Sequence, residues 1–505
     1  MADSKREIER KYESEDSGLP DLTGVAGVAA VADKGVAHLD ATYYDTVDER
    51  LAESSVTLRR RTGGSDAGWH LKFPVAPGVR DELHAPLSDT LPDDLAGLVR
   101  SRVRGSELLP VVRLRSERDV RHLLDADGGL LAEVAVDAVH AERLTPGGGE
   151  TQWTEIEVEL ADGGDPALLD KVEKRLRKSG VRPSASASKL ARALAETAPA
   201  KKRPSPSASA SAGQPVTAGD HVLAYVRTQR DAIVELDPAV RRDAEDSVHS
   251  MRVATRRLRS TFQSFGNVLD RAVTDKIGDE LKWLAGELGL DRDREVLTER
   301  LTAALDEVPA TLVRGPVSER LHSWSSAEHG GARGRLLGVL DSHRYLTLLD
   351  TLDALIADPP LRKAAGKKPR KVIAKAVKKD FRKVTGLVQQ ARELEPGTDR
   401  DVAIHEARKK TKRTRYAAEA GGPALGKPAK NLVKSMKALQ NLLGEHQDSV
   451  MARKTLRELS AVAHAAGESA FTYGLLHERE EQRALRVEAE LPGFWDGIKD
   501  RAASL

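Results

Sequence analysis

The sequence predicts an α+β protein of two unlike domains, an N-terminal closed antiparallel β-barrel and a C-terminal all-α domain. The first two hundred residues consist of short alternating segments between turn signals, whereas the residues after about 217 have the period and composition of helices. Residues 1–199 carry 27 lysines and arginines against 36 acidic residues, and the remainder carries 53 against 42. A chain of 505 residues is also too long for a single hydrophobic core.

The composition indicates the cellular compartment of the protein and disfavours one class of ligand. Without cysteine the chain has neither disulfides nor a thiolate metal site, which is compatible with a reducing cytoplasm. The N-terminus lacks an apolar signal core and no apolar run is long enough to span a membrane, so we expect a cytoplasmic protein. Aromatic residues make up only 4% of the chain, which disfavours a single-stranded nucleic acid ligand because base stacking needs aromatic side chains.

The first strand sets the pattern of the N-terminal half. Alternation along this strand places Glu7, Glu9 and Lys11 on one face, and Ile8 and Arg10 on the other. Two carboxylates and an ammonium group suit the inside of a polar tunnel better than a hydrophobic core. There the carboxylates can bind a divalent cation through oxygen, and the lysine can bind a phosphate.

Later segments repeat the charged face. The predicted strands lie at 43–46, 56–61, 69–73, 111–120, 130–139 and 153–160, and the predicted helices at 92–104, 166–179 and 188–197. Arg59 and Arg61 share a face, as do Glu155, Glu157 and Glu159, so basic middle strands lie between acidic first and last strands. A closed antiparallel barrel with a charged interior satisfies this pattern and leaves no open edge.

In their order along the chain, these motifs resemble the CYTH domain, the triphosphate tunnel metalloenzyme family, over residues 5 to about 195. The matching residues are Glu7, Glu9 and Lys11, then Tyr44-Asp45-Thr46, Arg59 and Arg61, Lys72, an arginine strand, an acidic strand, Glu157 and Glu159, and Lys189. The resemblance implies an eight-stranded antiparallel tunnel with flanking helices that binds a triphosphate and one or two Mg²⁺ or Mn²⁺ ions. We place this domain at residues 1–197.

The resemblance also implies roles that suit the side chains. Arginine and lysine neutralise phosphate at short range, whereas a carboxylate needs a cation between itself and a phosphate. The substrate-binding candidates are Lys11, Arg59, Arg61, Lys72, Arg118 and Lys189, with Arg113 and Arg115 as alternatives to Arg118. The catalytic candidates are Glu7, Glu9, Glu157 and Glu159, and the metal-binding candidates are these four with Glu133 and Asp137.

Residues 198–216, rich in Pro, Ser and Ala, predict a flexible linker, and residues 217–505 predict a helical domain with an internal repeat. His249, Arg252, Arg256, Arg257 and Arg259 match His405, Arg408, Lys412, Arg413 and Arg415 at an offset of 156. Lys282, Leu288, Gly289 and Asp293 match Lys437, Leu443, Gly444 and Asp448 at an offset of 155, as Leu321-His322 match Leu476-His477. We expect two copies of about four helices each, at about 217–357 and 366–505.

Within each copy the basic residues fall at i, i+3, i+7 and i+10, along one helix face. Like charges at this spacing repel, so the pattern favours an anion at that face. It resembles the CHAD domain, the conserved histidine α-helical domain, which implies two pseudo-symmetric four-helix bundles with a basic groove for inorganic polyphosphate. The polyphosphate-binding candidates are His249, Arg252, Arg256, Arg257, Arg259, Lys282, His405, Arg408, Lys409, Lys412, Arg413, Arg415 and Lys437.

The function predicted from these resemblances is a metal-dependent triphosphatase that cleaves inorganic triphosphate to pyrophosphate and phosphate. Its helical half would bind polyphosphate and bring the enzyme to polyphosphate granules. Two alternatives stay open: adenylate cyclase or thiamine triphosphatase activity in the same tunnel, and a non-catalytic polyphosphate-binding scaffold. Nucleic-acid binding by the basic half is a weaker rival, which competition between DNA and long-chain polyphosphate at a stated salt concentration would test.

Overall fold

The structure, a computed structural model, describes residues 3–14, 18–198, 215–326 and 329–502. The chain divides into two compact units, residues 1–211 and residues 212–505, and each is described by itself below. The predicted linker at 198–216 falls almost entirely outside the described residues.

The first unit is a closed barrel of eight antiparallel strands. These are β1 (Asp3–Glu13), β2 (Ala30–Asp45), β3 (Thr57–Thr62), β4 (Gly68–Ala76), β5 (Val79–Pro86), β6 (Leu109–Leu124), β7 (Leu130–Arg143) and β8 (Glu150–Leu160). Their order is β5-β4-β3-β2-β6-β7-β8-β1, and β1 pairs with β5 to close the ring. A two-residue strand, β9 (Arg182–Pro183), pairs with the end of β1.

The helices of this unit cover the outer faces of the strands and one end of the barrel. They are α1 (Arg50–Glu53), α2 (Asp93–Val103), α3 (Ala167–Lys178) and α4 (Lys189–Glu196). The apolar side chains that alternate with the charged ones point outward, where α3 and α2 bury them in two separate cores. Leu190 and Leu194 of α4 pack instead on the barrel residues Tyr43 and Leu114, so α4 closes one end of the lumen.

The segment analysis of the sequence missed one strand, β5. It follows β4 after a tight turn at Pro77-Gly78, in which Gly78 has a φ of 73°. A Pro-Gly pair between alternating segments is a recognised turn signal. Strands β2 and β6 are also longer than the predicted segments, at 16 residues each. The predicted class, an eight-stranded antiparallel barrel with flanking helices, is confirmed.

The second unit is entirely helical in its described residues. Its helices are α5 (Ala218–Arg241), α6 (Ser247–Ser264), α7 (Arg271–Glu287), α8 (Leu290–Asp306), α9 (Val317–Ser326), α10 (His329–Asp341), α11 (His343–Ala357), α12 (Pro369–Glu393), α13 (Thr398–Ala420), α14 (Gly422–Leu425), α15 (Lys427–Ala465) and α16 (Phe471–Ala502), with a 3-10 turn at Ala310–Leu312. The repeat offset places α6 on α13, and it places α7 with α8 on the single helix α15. The third helix of the first copy is therefore interrupted where that of the second copy is continuous.

One large core joins the two copies. It contains Leu258 and Phe262 of α6, Ile404 and Ala407 of α13, and Leu439 of α15, all buried. A smaller cluster packs α8 and α9 against α15 and α16, and it contains both members of a repeated pair, Leu321 and Leu476. The prediction of an all-helical domain is confirmed, and its two copies share a core.

Candidate functional sites

Strand β1 supplies acidic and basic side chains to the barrel lumen. Glu7 and Glu9 are only 4% and 8% exposed. Lys11 Nζ lies 3.1 Å from Glu9 Oε2 and also pairs with Glu157 of β8, the residue opposite it in the strand register. The next residue, Tyr12, points to the opposite face of the strand, into the core against α3. Strict alternation on one strand therefore produces a charged lumen and an apolar outer face.

Strands β3, β4 and β5 form a second group of charged side chains in the lumen. Lys72 Nζ lies 2.6 Å from Glu7 Oε2 and 3.5 Å from Glu82 Oε1 of β5. Arg59 Nη1 donates to the Tyr43 hydroxyl at 3.3 Å, and its Nη2 lies 3.9 Å from Glu82 Oε1. Arg61, one alternation further along β3, is 4% exposed and pairs with Asp66.

Strands β6, β7 and β8 and the start of α4 form a third group. Arg118 donates two hydrogen bonds to Asp137, of 2.8 and 2.7 Å, and a third to Glu157 at 2.6 Å. Lys189 Nζ lies 3.0 Å from Asp137 Oδ2, 2.7 Å from Glu155 Oε1 and 2.6 Å from Glu157 Oε1. Ser188 caps the helix by accepting from the amide of Ala191, which fixes the point where Lys189 enters the lumen.

The structure decides between the three candidate arginines of β6. Arg118 pairs across the sheet with Asp137 and lines the lumen, whereas Arg113 and Arg115 have the opposite parity. Arg113 bonds Asp40 at 2.5 Å on the outer surface, and Arg115 lies 3.8 Å from Glu142 there. The predicted placement of Arg113 or Arg115 in the tunnel is therefore wrong. Successive side chains of a strand point to opposite faces, so a shift of one residue places the side chain outside the barrel.

The lumen is a cavity of about 880 Å³. The predicted residues that line it are Glu7, Glu9, Lys11, Arg59, Arg61, Lys72, Arg118, Glu133, Glu157, Glu159 and Lys189. Glu159 and Glu133 are among the more exposed of these: Glu159 pairs with Lys5 at 2.6 Å, and Glu133 lies 3.3 Å from His122. Asp137 is fully buried behind Arg118 and Lys189.

Burial and close charges shift several pKa values in opposite directions. Burial, with a hydrogen bond to Glu82, raises the pKa of Glu7 to about 8. Burial alone would also raise the pKa of Glu157, but Lys11, Lys189 and Arg118 lower it well below its usual value. Burial lowers the pKa of His70 to about 4, although its Nδ1 lies 2.7 Å from Glu82. Burial alone would raise the pKa of Glu82, but hydrogen bonds with His70 and Glu7 and the charges of Lys72 and Arg59 lower it far below its usual value. Glu7 therefore carries the proton of the Glu7–Glu82 pair at neutral pH.

The helical unit gathers basic side chains where α6 and α13, the equivalent helices of the two copies, come together. Arg252 and Arg256 of α6 and Arg408 and Lys412 of α13 form this group, which we call the Lys412 cluster. Burial, together with the positive charges of Arg408, Arg256 and Arg252, lowers the pKa of Lys412 to about 7. Asp448 of α15 opposes that shift, and it lies 3.9 Å from Arg408.

Comparison with known proteins supports the resemblance of the first unit to the CYTH domain and of the second unit to the CHAD domain. The CYTH domain family matches residues 5–194, and the CHAD domain family matches residues 224–457. "Uncharacterized protein Rv2226" of Mycobacterium tuberculosis is 38% identical over 501 residues, covering 96% of this chain and 94% of that protein. The chain belongs to the family that joins a CYTH domain to a CHAD domain.

Several solved structures resemble part of the chain. "PptA from Streptomyces chartreusis" is 21% identical, with a TM-score of 0.47, and covers 55% of this chain and 99% of its own. The CHAD domain from the plant Ricinus communis is 22% identical, with a TM-score of 0.44, and covers 57% of this chain and 93% of its own. Among the described residues no helix combines the length and the apolar character that crossing a bilayer requires.

The CYTH lumen has the donor atoms that a hard divalent cation prefers. Glu7, Glu9, Glu82, Glu157 and Glu159 line the cavity, and Glu7 and Glu82 form a hydrogen-bonded pair. Carboxylate oxygens of Glu157 also lie within 4.8 Å of those of Asp137 and Glu155. Mg²⁺ and Mn²⁺ favour oxygen ligands, so the residues present fit the metal that the family implies. Lysine ammonium groups neutralise several of these carboxylates here, as a bound cation also would.

The sequence analysis did not assign a role in the site to four residues of the lumen: Glu82, His70, Tyr43 and Glu155. Glu82 lies on the strand that was missed, and its parity relative to Lys5 and Glu7 becomes meaningful only when β5 pairs with β1. Glu155 was placed on the correct face but not assigned a role. In the structure it accepts from Trp153 Nε1 at 2.6 Å and pairs with Lys189.

The CHAD basic residues separate into two kinds. Arg257 donates to Glu419 at 3.0 Å, and its equivalent in the second copy, Arg413, contacts Gln263, the equivalent of Glu419. These reciprocal contacts follow the pseudo-two-fold axis and tie the two copies together. Arg413 also lies 3.1 Å from the buried Asp380. Both arginines therefore position α6 against α13 in this structure.

The remaining predicted residues surround this cluster. His249, Lys282, Lys409 and Lys437 are exposed. His405 lies 2.5 Å from Gln447, and Arg415 lies 3.5 Å from Glu419. Arg259 lines a separate pocket between α6, α7, α12 and α13.

Glycines of the third helix lie against the cluster arginines in both copies. A Cβ added to Gly289 would lie 2.7 Å from the guanidinium of Arg252, whereas one added to Gly444 would lie 3.5 Å from that of Arg408. The first copy therefore seats its arginine more tightly than the second.

Proposed function

We propose that the CYTH domain hydrolyses inorganic triphosphate to pyrophosphate and phosphate with the aid of a divalent cation. The observation that carries this proposal is the density of opposite charges in the lumen. Among the residues that line or adjoin it, six cationic side chains lie beside six carboxylates. The cations are Lys11, Arg59, Arg61, Lys72, Arg118 and Lys189, and the acids are Glu7, Glu9, Glu82, Asp137, Glu155 and Glu157. Burying charges costs free energy even when they are paired. A charged network of this kind in a deep cavity therefore indicates a binding site for a highly charged ligand.

Substrate binding would exchange the partners of this network. Phosphate oxygens replace carboxylates beside Arg59, Arg118 and Lys72, where the planar guanidinium groups bind two oxygens at once and the ammonium groups act as point charges. Asp137 and Glu155 stay with Arg118 and Lys189 and orient them. In a closed-ended cavity these contacts are stronger than in water, because the local dielectric constant is low.

The freed carboxylates would bind the metal. Glu7, Glu9 and Glu157, with Glu82 and Glu159, are the ligands that we propose. A bound Mg²⁺ or Mn²⁺ supplies Lewis-acid polarisation of the phosphoryl oxygens and a more acidic water. Glu7 must then lose the proton that burial stabilises on it, because a cation beside Glu7 and Glu82 favours the charged form of both carboxylates.

The lining favours a substrate without a ring system. Among the described residues around the cavity, Tyr43 is the only phenyl, phenol or indole side chain, and its hydroxyl is bonded to Arg59. The other rings that line the cavity are the imidazoles of His70, His84 and His122, which offer a nucleobase or a thiazole a smaller and more polar face than a phenyl or indole ring would. This supports inorganic triphosphate over ATP and thiamine triphosphate.

Phosphate release by the full-length protein tests the proposal. Inorganic triphosphate, ATP, thiamine triphosphate and long-chain polyphosphate are compared with Mg²⁺, with Mn²⁺ and with a chelator, and cyclic AMP is assayed in parallel. We expect turnover of triphosphate to exceed the others and to need metal. Arg118→Gln should lower kcat/KM by roughly 100-fold or more, since an electrostatic contact of this kind is worth about 2.7–4 kcal/mol. Arg115→Gln removes the same charge from the outer face and should leave turnover unchanged. Cyclic AMP formation, or equal rates in the two variants, would contradict the assignment.

We further propose that the CHAD domain binds inorganic polyphosphate at the Lys412 cluster and would thereby bring the enzyme to polyphosphate granules. Four cationic side chains brought together from two helices, one with its pKa lowered to about 7, cost free energy that a polyanion would recover. Fluorescence anisotropy with labelled long-chain polyphosphate should show weaker binding by Arg408→Gln. Arg486→Gln, at an exposed position on α16, is the matched control. Equal affinity of the two variants would disprove the site.

A further inference from the structure

A histidine and two carboxylates meet inside the second copy of the helical repeat, outside the tunnel and the Lys412 cluster. Asp401 lies on α13, His446 on α15 and Glu488 on α16. His446 Nε2 lies 3.3 Å from Asp401 Oδ1 and 3.1 Å from Glu488 Oε1, and the three side chains offer one atom each within 4.8 Å of one another. Two atoms that bind one metal ion at about 2.1 Å, at an angle of about 90–110°, lie roughly 3.0–3.4 Å apart. Both distances from His446 therefore fit a shared ion.

The imidazole of His446 is directed into this cluster. The residue is fully buried. Among the described residues its Nδ1 has no hydrogen-bond partner, so the two carboxylates supply the polar contacts of the ring. A neutral imidazole is a common ligand of divalent transition metals in proteins. The cluster thus combines one nitrogen donor with two oxygen donors, which a purely acidic surface group does not offer.

Two arginines hold the carboxylates so that each presents one oxygen to His446. Arg400 donates to Glu488 Oε2 at 2.7 Å, and Arg453 Nη2 donates to Asp401 Oδ2 at 3.4 Å. The oxygens that face His446 are the other two, Glu488 Oε1 and Asp401 Oδ1. Hydrogen bonds of this kind orient the ligands of metal sites in proteins. Each carboxylate therefore has one oxygen fixed by an arginine and one directed at the site.

The acidic side chains outnumber the arginines in these contacts. Glu481 also lies there, 3.8 Å from Arg453 Nη1. The carboxylates of Asp401, Glu481 and Glu488 therefore share the two guanidinium groups of Arg400 and Arg453. A bound cation would balance the remaining negative charge. The side chain of Asp401 is 22% exposed, which gives an ion a path from solvent.

The first copy of the repeat has different residues at these positions. The repeat offsets place Glu245, Asp291 and Arg333 at the three equivalent positions, so the histidine is missing and an arginine replaces Glu488. In the structure Arg333 donates to the carbonyl oxygen of Val240 at 2.7 Å. A guanidinium group at this position would repel a cation. We therefore expect one such site in the protein, in the second copy.

We propose that Asp401, His446 and Glu488 bind one divalent transition metal ion, which links α13, α15 and α16. Carboxylate ligands suit Mn²⁺ and an imidazole suits Zn²⁺, so this mixed set of donors fits either ion. Three protein ligands leave one or more positions on the ion for water. The site is separate from the proposed triphosphatase and polyphosphate sites and does not depend on either.

Zinc binding by the full-length protein tests the proposal. The protein is freed of metal with a chelator and titrated with Zn²⁺ in a calorimeter, and the zinc retained after dialysis is counted by elemental analysis. His446→Gln removes the nitrogen donor. His464→Gln removes an exposed histidine from the same helix and is the matched control. We expect His446→Gln to bind one equivalent of Zn²⁺ fewer than the control, which should match the parent. Any zinc bound in the tunnel is common to all three proteins and cancels.

Thermal denaturation gives a second measurement. Zn²⁺ should raise the unfolding temperature of the helical unit in the parent and in His464→Gln but not in His446→Gln, because a ligand stabilises only the fold that binds it. Glu488→Gln removes one oxygen donor and should lose the same equivalent of zinc, so it decides the question if His446→Gln does not fold.

The opposite results are equally clear. Equal zinc stoichiometry in His446→Gln and His464→Gln would overturn the proposal, and it would mean that a protonated His446 bridges the two carboxylates without a metal. Loss of the same equivalent in both histidine variants would also overturn it, since the loss would then not report on the buried cluster. Retention of that equivalent in a folded Glu488→Gln protein would exclude the carboxylate as a ligand and overturn the three-ligand site.

Discussion

Lys412 occupies the position at which the first repeat has Arg256, and the difference has a consequence for pH. Burial and neighbouring arginines lower the pKa of Lys412 to about 7, and Asp448 is the acidic group that opposes them. A bound phosphate favours the charged form, so binding takes up a proton above pH 7. Affinity for polyphosphate should therefore fall as the pH rises through about 7.

Lys412→Arg should flatten this dependence, because arginine stays protonated throughout the accessible pH range. We expect the parent protein to bind roughly tenfold more weakly at pH 8.5 than at pH 6, and the variant to lose most of that difference. His249 and His405 are present in both proteins, so their contributions cancel. An identical pH profile for the two proteins would assign the dependence to other groups. The measurement is anisotropy at constant ionic strength.

Gly289 and Gly444 offer a matched pair of substitutions. Gly289→Ala places a Cβ 2.7 Å from the Arg252 guanidinium, so the side chain must move, whereas Gly444→Ala makes an ordinary contact with Arg408 at 3.5 Å. We expect Gly289→Ala to weaken polyphosphate binding and to lower its salt slope by about 1 unit, and Gly444→Ala to do neither. Thermal denaturation shows whether either protein is simply less stable. Equal binding by both variants would mean that Arg252 does not contact phosphate.

Helix α4 contributes both to the stability of the barrel and to the candidate site in its lumen. Its Leu190 is only 2% exposed and lies beside Lys189, which enters the lumen. Leu190→Ala should lower the free energy of unfolding of the barrel by about 2–5 kcal/mol. Leu87→Ala, at a position 44% exposed, should change it by less than about 0.5 kcal/mol. Urea unfolding measures both, and equal stabilities would mean that α4 does not seal the barrel.

Strand alternation explains what the sequence could and could not predict about the tunnel. Glu7, Glu9, Lys11, Arg59 and Arg61 follow from parity on short strands with clear ends. On β6 the pair Arg113 and Arg115 imitates the spacing of Arg59 and Arg61, and only the partner residues Asp40 and Glu142 show that it faces outward. Glu82 requires the closure of β5 on β1, which is a long-range pairing that local patterns do not reveal.

The helical repeat was visible in the sequence because equal residues recur at a nearly constant offset. The charge state of Lys412 was not visible, since it depends on Arg252 and Arg256, which lie more than 150 residues away along the chain. The difference between Gln263 and Glu419 was present in the sequence as a mismatch between copies. Only the structure shows that these residues contact Arg413 and Arg257 across the repeat interface.

For the whole molecule, the separate cores of residues 1–211 and 212–505 predict two thermal transitions in calorimetry. Triphosphate with Mg²⁺ should raise one transition and long-chain polyphosphate the other, because each ligand stabilises only the unit that binds it. At 100 times the dissociation constant the stabilisation is about 2.7 kcal/mol, which corresponds to a shift of about 5–10 °C for a unit of this size.

Two variants assign the transitions. Arg118→Gln should abolish the shift caused by triphosphate and retain the one caused by polyphosphate, and Arg408→Gln should do the reverse. A single transition that either ligand moves as a whole would mean that the two units unfold together. A polyphosphate shift lost in Arg118→Gln would mean that the long chain binds in the tunnel, which would make polyphosphate a substrate of the CYTH domain as well as a ligand of the CHAD domain.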